Sequence, residues 1–249
     1  MTDWLTASRS TELSYGGNAT TILTKLGIFK SSYFKERQTM DKQKEHEFWN
    51  WEHCKTRIKS LKGRLGFEES PTLKFLQLSL SLENGVIYDN LRNRLLPEAA
   101  PSIYCILSTY ADAKPIPEAL KLVSFKQLPG GNAYNQAFLR RTVLSIKQVF
   151  GPKPKLLAEA AKLLGGTKKS YGDYSVEIRS LPLVPITVIL WTQSAEFQAS
   201  VSMLFDATIS HYLTMEQVAI LGGLTSAMLR HAFEALEKQG NRLRRAENP

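Results

Sequence analysis

Two carboxylates and an imidazole lie within eleven residues of one another and could together form a general-base site. They are Asp206, His211 and Glu216, spaced five residues apart. A carboxylate can orient an imidazole so that the ring takes up a proton near neutral pH. The alternative is structural: Asp206 caps a turn, His211 satisfies backbone groups, and Glu216 occupies the favourable first turn of a helix. No nucleophile is placed beside these residues by the sequence.

Two histidines and a cysteine lie close together in a segment that is predicted to be helical. His46 and His53 fall on one side of this helix, and Cys54 is adjacent. Imidazole and thiolate groups would suit zinc or another transition metal. The spacing differs from the i, i+4 histidine pair of metallohydrolase helices. We therefore predict no metal site and expect a solvated polar helix face, with these three residues as the candidates if a metal binds.

A glycine-rich turn, formed by Gly130, Gly131 and Asn132, opens another predicted helix. Exposed N–H groups at such a position could bind an anion or a phosphate. The segment matches neither a P-loop nor the Gly-x-Gly-x-x-Gly fingerprint. A tight turn without a ligand is the alternative interpretation.

Positive charge is concentrated in two stretches of a chain with 32 Lys+Arg, 23 Asp+Glu and a formal net charge of +9. Such surfaces favour an acidic protein partner, nucleic acid or an anionic membrane surface. No nucleic-acid recognition motif accompanies the cations, so an acidic protein or a larger complex is at least as well supported as nucleic acid. Peripheral membrane contact is a further option. The basic residues are Lys55, Arg57, Lys59, Lys62 and Arg64 in the first patch, and Arg140, Arg141, Lys168 and Lys169 in the second.

Hydropathy patterns predict an α+β core domain over residues 71–238, with a mostly antiparallel sheet flanked by helices. Alternation over 72–82, followed by Glu83-Asn84-Gly85, indicates a strand and a hairpin turn. The last helix is expected from Thr214 to about Lys238, with Gln217 completing a capping box. The other predicted elements are helices at 97–112, 132–150 and 154–164 and strands at 120–128, 174–179, 185–191 and 199–205, of which 185–191 is expected at the centre of the sheet.

Three further segments are predicted outside this core. Residues 1–31 are rich in Ser, Thr and Gly and are expected to form a flexible arm. Residues 32–70 form a helical extension with a thin apolar face, so this extension should pack on something larger. Residues 239–249 are expected to form a basic tail.

Cysteine usage and hydropathy favour a cytoplasmic location. The two cysteines, Cys54 and Cys105, cannot form a disulfide framework. The first residues lack the pattern of a secretory signal. No apolar run reaches the ~18 residues of a transmembrane helix, so none is predicted.

Over residues 86–229 the chain resembles an uncharacterised family of bacterial and archaeal proteins that share a domain of unknown function. The resemblance rests on stretches that occur in the family's order and spacing: LVSFKQLPGGNAYNQAF, LRR, VFG, AAKLLGG, GDYSVEIRSLPLVPITVILW and EFQASVSMLFDATISHYLTMEQVAILGGL. It implies no activity, because the family has no established one. Some relatives carry a separate four-cysteine iron–sulfur motif, which two cysteines cannot supply, so no cofactor is predicted. The chain also departs from the family at residues 192–195, where relatives are usually acidic.

Together these features favour a non-enzymatic binding or assembly module that docks on a larger protein complex. The weakly apolar N-terminal region, the basic patches and the lack of a coherent catalytic set support this hypothesis. The alternative is an accessory enzyme or cofactor-handling protein in redox metabolism, as the iron–sulfur relatives suggest. The second alternative is a nucleic-acid-binding protein that uses the basic patches.

Overall fold

A computed structural model of the chain describes residues 48–247, and the side chains of residues 48–241. The predicted arm over 1–31 and the first part of the predicted extension lie outside these residues. The described part of the extension, residues 48–70, contains the helix α1 (Trp51–Lys59), which begins after Asn50. The side-chain oxygen of Asn50 accepts the backbone N–H of His53 at 3.0 Å and so satisfies one free donor of the first turn.

The helix α1 packs against α2 (Ala100–Asp112), which follows a short 3₁₀ turn at Pro97–Ala99. Cys54 and Ile58 are buried on α1 and lie four residues apart, so they share the side that faces the core. The extension therefore contributes to the same hydrophobic core as the domain that follows it.

The first sheet is an antiparallel meander of four strands in chain order. The predicted turn at Asn84 and Gly85 is confirmed, because it connects the second strand to the third and Gly85 has a φ of 76°. The strands are β1 (Thr72–Phe75), β2 (Leu78–Ser81), β3 (Ile87–Asp89) and β4 (Arg94–Leu95).

The prediction of one continuous strand over 72–82 is wrong, because the chain reverses at Leu76 and Gln77. These residues have φ values of 47° and 60°, which is the left-handed geometry that a two-residue hairpin requires. The burial of Leu76 and a long-range hydrogen bond of Gln77 accompany this unfavourable backbone geometry. The Leu76 side chain is 2% exposed, and the Gln77 amide donates to the carbonyl of Leu163 at 2.7 Å. Neither contact has a local sequence signal.

The second sheet of residues 48–247 has five antiparallel strands, with β8 (Val184–Trp191) in the middle. Its central strand β8 is buried at every residue except the last, Trp191, which confirms the predicted central position. The α+β class is confirmed by the two sheets and their helices. The order of strands is β5 (Leu122–Ser124), β9 (Ser200–Asp206), β8 (Val184–Trp191), β7 (Tyr174–Leu181) and β6 (Thr167–Lys169).

The long helix α7 (Met215–Glu247) contacts four other helices among residues 48–247. Its predicted capping box is confirmed: Thr214 N–H donates to the Gln217 side chain at 3.0 Å, and Gln217 N–H donates to the Thr214 hydroxyl at 3.4 Å. The helix continues past the predicted end at Lys238, through most of the predicted tail. The remaining helices are α3 (Gly131–Arg141), α4 (Val143–Phe150), α5 (Leu156–Leu163), α6 (Ile209–Tyr212) and α7 (Met215–Glu247).

The single helix predicted over 132–150 is divided into α3 and α4 at Thr142. This residue has φ −105° and ψ −67°, and its hydroxyl donates to the carbonyl of Phe138 at 2.7 Å. The side chain thus competes for a helix carbonyl and redirects the chain. Among the helices of residues 48–247, none is long and apolar enough to cross a membrane.

Candidate functional site

Asp206 lies at the end of β9 and forms the hydrogen bonds of a structural cap. The residue is 4% exposed, and its carboxylate accepts the N–H and hydroxyl of Thr208 at 2.9 and 2.6 Å, and the N–H of Ala119 at 3.1 Å. Burial raises the pKa of the Asp206 carboxyl, but these bonds and one from Leu120 together outweigh burial and hold the pKa below its usual value. Asp206 therefore fixes the segment before β5 to the turn after β9.

His211 and Glu216 have separate surroundings. The exposed His211 ring has Nε2 at 2.8 Å from the carbonyl oxygen of Lys114. Glu216 is half-buried in the first turn of α7, where burial raises its pKa. Within residues 48–241, no hydrogen bond or ion pair joins Asp206, His211 and Glu216. The geometry matches the structural alternative more closely than a general-base site.

The metal candidates that the structure describes face different environments. His53 is exposed on α1, whereas Cys54 is 3% exposed and burial raises the pKa of its thiol. His46 lies outside the described residues. In residues 48–241, no group of three or more His, Cys, Asp or Glu side chains is arranged to hold a metal ion.

Backbone geometry and close packing explain the glycine turn at Gly130 and Gly131. Gly130 has a φ of 76°, and a Cβ added to Gly131 would lie 1.9 Å from the carbonyl oxygen of Phe125. A larger residue is therefore excluded for steric reasons at Gly131, whereas Gly130 has the left-handed backbone geometry that favours glycine. Asn132 is exposed at the start of α3 and makes the helix entry polar.

The first basic patch is accompanied by carboxylates, of which Asp112 is distant from it in sequence. Asp112 lies 3.7 Å from Arg57, and Glu69 lies 3.0 Å from Lys62. Lys55 pairs with Glu52 on the same helix at 2.5 Å. Because the pairs are exposed, each contributes little stability, but they reduce the positive potential of this surface.

Part of the second basic patch forms a cleft between helices. Its volume is about 240 Å³, and it lies where the end of α3 and the start of α4 meet the middle of α7. Arg140 and Arg141 line it from α3, and Arg230 lines it from α7. We call this site the arginine cleft; its polar lining residues are Arg140, Arg141, Ser145, Gln148, Ser226 and Arg230.

Two serines hold the walls of the arginine cleft together. The hydroxyls of Ser145 on α4 and Ser226 on α7 lie 2.7 Å apart, and both lie within hydrogen-bond distance of the carbonyl of Thr142, at 2.8 and 3.1 Å. Gly222 permits the approach of α7 to α3, since a Cβ at this position would lie 2.8 Å from the ring of Phe138. The break at Thr142 and this close approach together position the arginines.

The charged residues that line the arginine cleft are all positive. None of its lining residues carries a carboxylate. Burial lowers the pKa of the Arg141 guanidinium, and the neighbouring charge of Arg140 lowers it further. No carboxylate among the side chains of residues 48–241 forms an ion pair with Arg140 or Arg230. Clustered cations in a partly desolvated site create an unfavourable interaction that a bound anion would relieve.

Sequence reasoning identified two arginines of the cleft and missed the third. Arg140 and Arg141 belong to the predicted basic patch, whereas Arg230 lies on the polar side of the last helix. Ser226 and Arg230 are spaced i, i+4 on that helix, which was the available local signal. Lys168 and Lys169 of the same patch lie on β6, where Lys169 pairs with Glu177 at 3.0 Å.

A half-buried histidine lies beside the arginine cleft on α7. The buried Nδ1 atom of His231 has no hydrogen-bond partner within residues 48–241. Burial, and then the charge of Arg92, lowers the pKa of His231 to about 4, although Asp89 and Glu234 oppose this shift. The folded protein therefore favours the neutral imidazole.

This pKa predicts a loss of stability in mild acid. Between pH 6.5 and pH 4 the unfolded chain binds a proton at this histidine that the folded chain excludes, so stability falls as the pH falls. We expect the His231→Gln variant to lose about 2 kcal/mol less than the wild type between pH 7 and pH 5. Urea denaturation at the two pH values measures this difference, and equal losses in both proteins would contradict the assignment.

Comparison with known proteins identifies one family. The sequence pattern described as Domain of unknown function (DUF3786) matches residues 59–228, about two thirds of the chain. The match begins before the resemblance noted from residue 86 and includes the first sheet and the end of α1. It contains Arg140 and Arg141, and it ends two residues before Arg230. Searches of curated proteins and of solved structures found no match. The chain belongs to the DUF3786 family, as its resemblance to a family of unknown function had indicated.

Proposed function

We propose that this protein is a non-enzymatic binding module that docks on an acidic protein partner through the arginine cleft. The observation that carries the proposal is the convergence of Arg140, Arg141 and Arg230 on one cleft whose lining contains no carboxylate. A guanidinium presents a planar fork of donors that matches oxyanions, and it retains its charge at all physiological pH values. An anionic group of a partner would offset the positive charge of the cleft.

Apolar side chains around the cleft support a protein as the partner. Leu144 lines the cleft and is 41% exposed, and Tyr134 on α3 is 53% exposed. Tyr134 precedes Arg141 by seven residues, which is two helical turns, so both lie on the same side of α3. Protein interfaces are enriched in tyrosine and arginine, which combine apolar area with directed hydrogen bonds.

The two alternatives have less support in the described residues. For an enzyme, the candidate residues Asp206, His211 and Glu216 make separate structural contacts. For a nucleic-acid binder, a continuous positive surface would be favourable, yet carboxylates flank the first basic patch. The arginine cleft is local and concave, which suits a protruding acidic group better than an extended phosphate backbone.

The test is to recover the protein with its partners from its own host. Three tagged proteins are compared: the wild type, the double variant Arg140→Glu/Arg230→Glu, and the control Lys74→Glu/Lys126→Glu. Lys74 and Lys126 are exposed on other elements, so the control has the same change in net charge. Circular dichroism and thermal melting show whether each variant is folded.

We expect the wild type and the control to recover the same partner in equal amounts. The cleft variant should recover about tenfold less or lower still, because central interface arginines commonly contribute more than about 1.4 kcal/mol each. Equal recovery by a folded cleft variant would overturn the proposed site. Recovery of nucleic acid in place of protein, lost steeply as salt rises from about 50 to 200 mM, would favour the second alternative.

A further inference from the structure

We infer that Leu120 is a docking residue for an acidic protein, which takes up the leucine side chain in an apolar pocket with carboxylates at its rim. Leu120 precedes β5 and is not among the residues that line the arginine cleft. The inference therefore goes beyond the proposed function. It rests on the backbone conformation of Leu120, the exposure of this residue, the contacts of its segment and the neighbouring charges.

Leu120 combines a left-handed backbone with high exposure. Its φ is 53°, which is an unfavourable conformation for a residue with a Cβ atom. The residue is 86% exposed, so burial of its side chain does not offset this strain in the isolated chain. Single exposed leucines are common on protein surfaces. An exposed leucine that is also strained is uncommon, and it indicates a functional constraint on the segment.

Two other leucines in the part of the chain that the structure describes have left-handed backbones, and both are buried. Leu65 has a φ of 49° and is 6% exposed, and Leu76 has a φ of 47° and is 2% exposed. Both belong to the hydrophobic core, so the burial of their side chains offsets the strain. Leu120 lacks this compensation while its side chain is in water. A partner that buries the side chain would supply it.

Contacts on both sides of Leu120 hold its backbone in place. The Asp206 carboxylate accepts the N–H of Ala119 at 3.1 Å and the N–H of Leu120 as well. The carbonyl of Lys121 accepts the N–H of Ala207 at 2.9 Å. The turn after β9 therefore enforces the left-handed conformation. Backbone strain that the surroundings enforce is typical of sites where a protein binds its ligand.

The residues before Leu120 form a stiff extended segment. Pro115 and Pro117 fix their own φ angles and favour extended backbone at the residues that precede them. The Tyr212 hydroxyl attaches the segment to the domain, since it lies 3.0 Å from the backbone nitrogen and 3.1 Å from the carbonyl oxygen of Ile116. A partner therefore orders little of this chain when it binds, which lowers the entropic cost of docking.

The charges near Leu120 in the sequence indicate the chemistry of the partner. Lys114 and Lys121 are exposed, and neither forms an ion pair within residues 48–241. Glu118 lies between them in the sequence and pairs with Arg179 at 2.7 Å. The segment is therefore positive in balance, and carboxylates on a partner would complement it. A second copy of this chain would bring like charges together and is the less favourable occupant.

Site-specific photo-crosslinking of the full chain in its own host tests the inference. Benzoylphenylalanine replaces Ala119, which is exposed beside Leu120, and in a control protein it replaces Leu95, which is 56% exposed on β4. We expect a discrete adduct with an acidic protein from position 119 alone, and mass spectrometry identifies this protein. No adduct from position 119, or the same adduct from both positions, would overturn the inference. An adduct between two copies of the chain would overturn the acidic partner.

Substitutions at Leu120 then measure the contribution of its side chain with the purified adduct partner. Leu120→Asn should weaken binding about tenfold or more, because burial of a leucine side chain contributes at least this factor. Leu120→Met keeps an apolar side chain and should bind within about threefold of the wild type, and Leu95→Asn is the control for a surface leucine. Binding by Leu120→Asn as tight as that of the wild type would overturn the inference.

Thermal melting of the same variants separates docking from a structural role. Asparagine adopts left-handed backbone geometry more readily than leucine, so Leu120→Asn should melt at the wild-type temperature or above it. A lower melting temperature would show that the side chain stabilises the isolated fold, and it would overturn the inference.

The docking role of Leu120 and the proposed function fail separately. Leu120→Asn retains the arginine cleft, and Arg140→Glu/Arg230→Glu retains Leu120. Loss of the partner in Leu120→Asn alone supports the inference and overturns docking through the cleft. Loss in the cleft variant alone overturns the inference and leaves the proposed function intact. Loss in both variants would support two contacts with one acidic partner.

Discussion

The Asp206→Ala variant is expected to lose about 3 kcal/mol of its free energy of unfolding at pH 7. Asp206 is 4% exposed, and its carboxylate accepts two hydrogen bonds from Thr208 and one from Ala119. Its removal takes away the acceptor of three part-buried hydrogen bonds, and it frees the segment before β5 from the turn after β9. Urea denaturation followed by far-ultraviolet circular dichroism measures the loss.

Two comparisons separate this structural role from a catalytic one. Asp206→Asn keeps one acceptor oxygen and should lose about 1 kcal/mol. Glu216→Ala should remain within about 0.5 kcal/mol of the wild type, because burial already disfavours the charged form of Glu216. A value for Asp206→Ala as small as that for Glu216→Ala would show that the cap has little effect on folding.

The effect of Asp206 should also depend on pH. The pKa of its carboxyl in the folded protein lies below the usual value, so the ionised form stabilises the fold. This contribution is present above about pH 4 and is lost as the pH falls through the folded pKa. The wild type and Asp206→Ala should therefore differ most near neutral pH and converge in acid.

The second large effect is expected for Gly131→Ala, which should lower the free energy of unfolding by about 3 kcal/mol. The added Cβ would lie 1.9 Å from the carbonyl oxygen of Phe125, so the backbone must move. Movement of Phe125 disturbs its stacked contact with Phe138, whose ring centroid lies 4.2 Å away. Differential scanning calorimetry or urea denaturation measures the change.

Gly165→Ala is the matched control for the glycine turn. Gly165 has a φ of 75°, and nothing lies within 4 Å of an added Cβ. Its substitution should therefore cost only the strain of a left-handed alanine, roughly 1 kcal/mol. The difference of about 2 kcal/mol between the two variants isolates the steric contact at Gly131. Equal losses would mean that the turn relaxes without repacking the core.

Short-range patterns were sufficient to predict much of the fold. Alternation over residues 174–179 and 199–205 predicted β7 and β9, because the side-chain period of a strand is two residues. A continuous apolar and β-branched run over residues 185–191 predicted β8. The Asn84-Gly85 turn and the pair Thr214 and Gln217 were also identified, since each signal is complete within four residues.

Elements that depend on distant contacts were missed or misjudged. The reversal at Leu76 and Gln77 has no turn residues of the usual kind, and the contacts that accompany it include the carbonyl of Leu163, 86 residues away. The break at Thr142 was concealed by a continuous helical pattern. In both places tertiary packing overrides local preference, which a single sequence does not display.

The candidate site, like the fold, was predicted from the sequence only in part. The sequence by itself determined an α+β domain with an excess of positive charge, because composition and periodicity are local properties of the chain. It did not reveal that Asp112 and Glu69 accompany the first basic patch. Only the tertiary structure placed Arg230 in the same cleft as Arg140 and Arg141, which are about 90 positions away in the sequence. The close approach of α7 to α3 at Gly222 brings these residues together. Whether a charged side chain belongs to a binding site depends on the residues that lie near it in space, and the fold determines which residues those are.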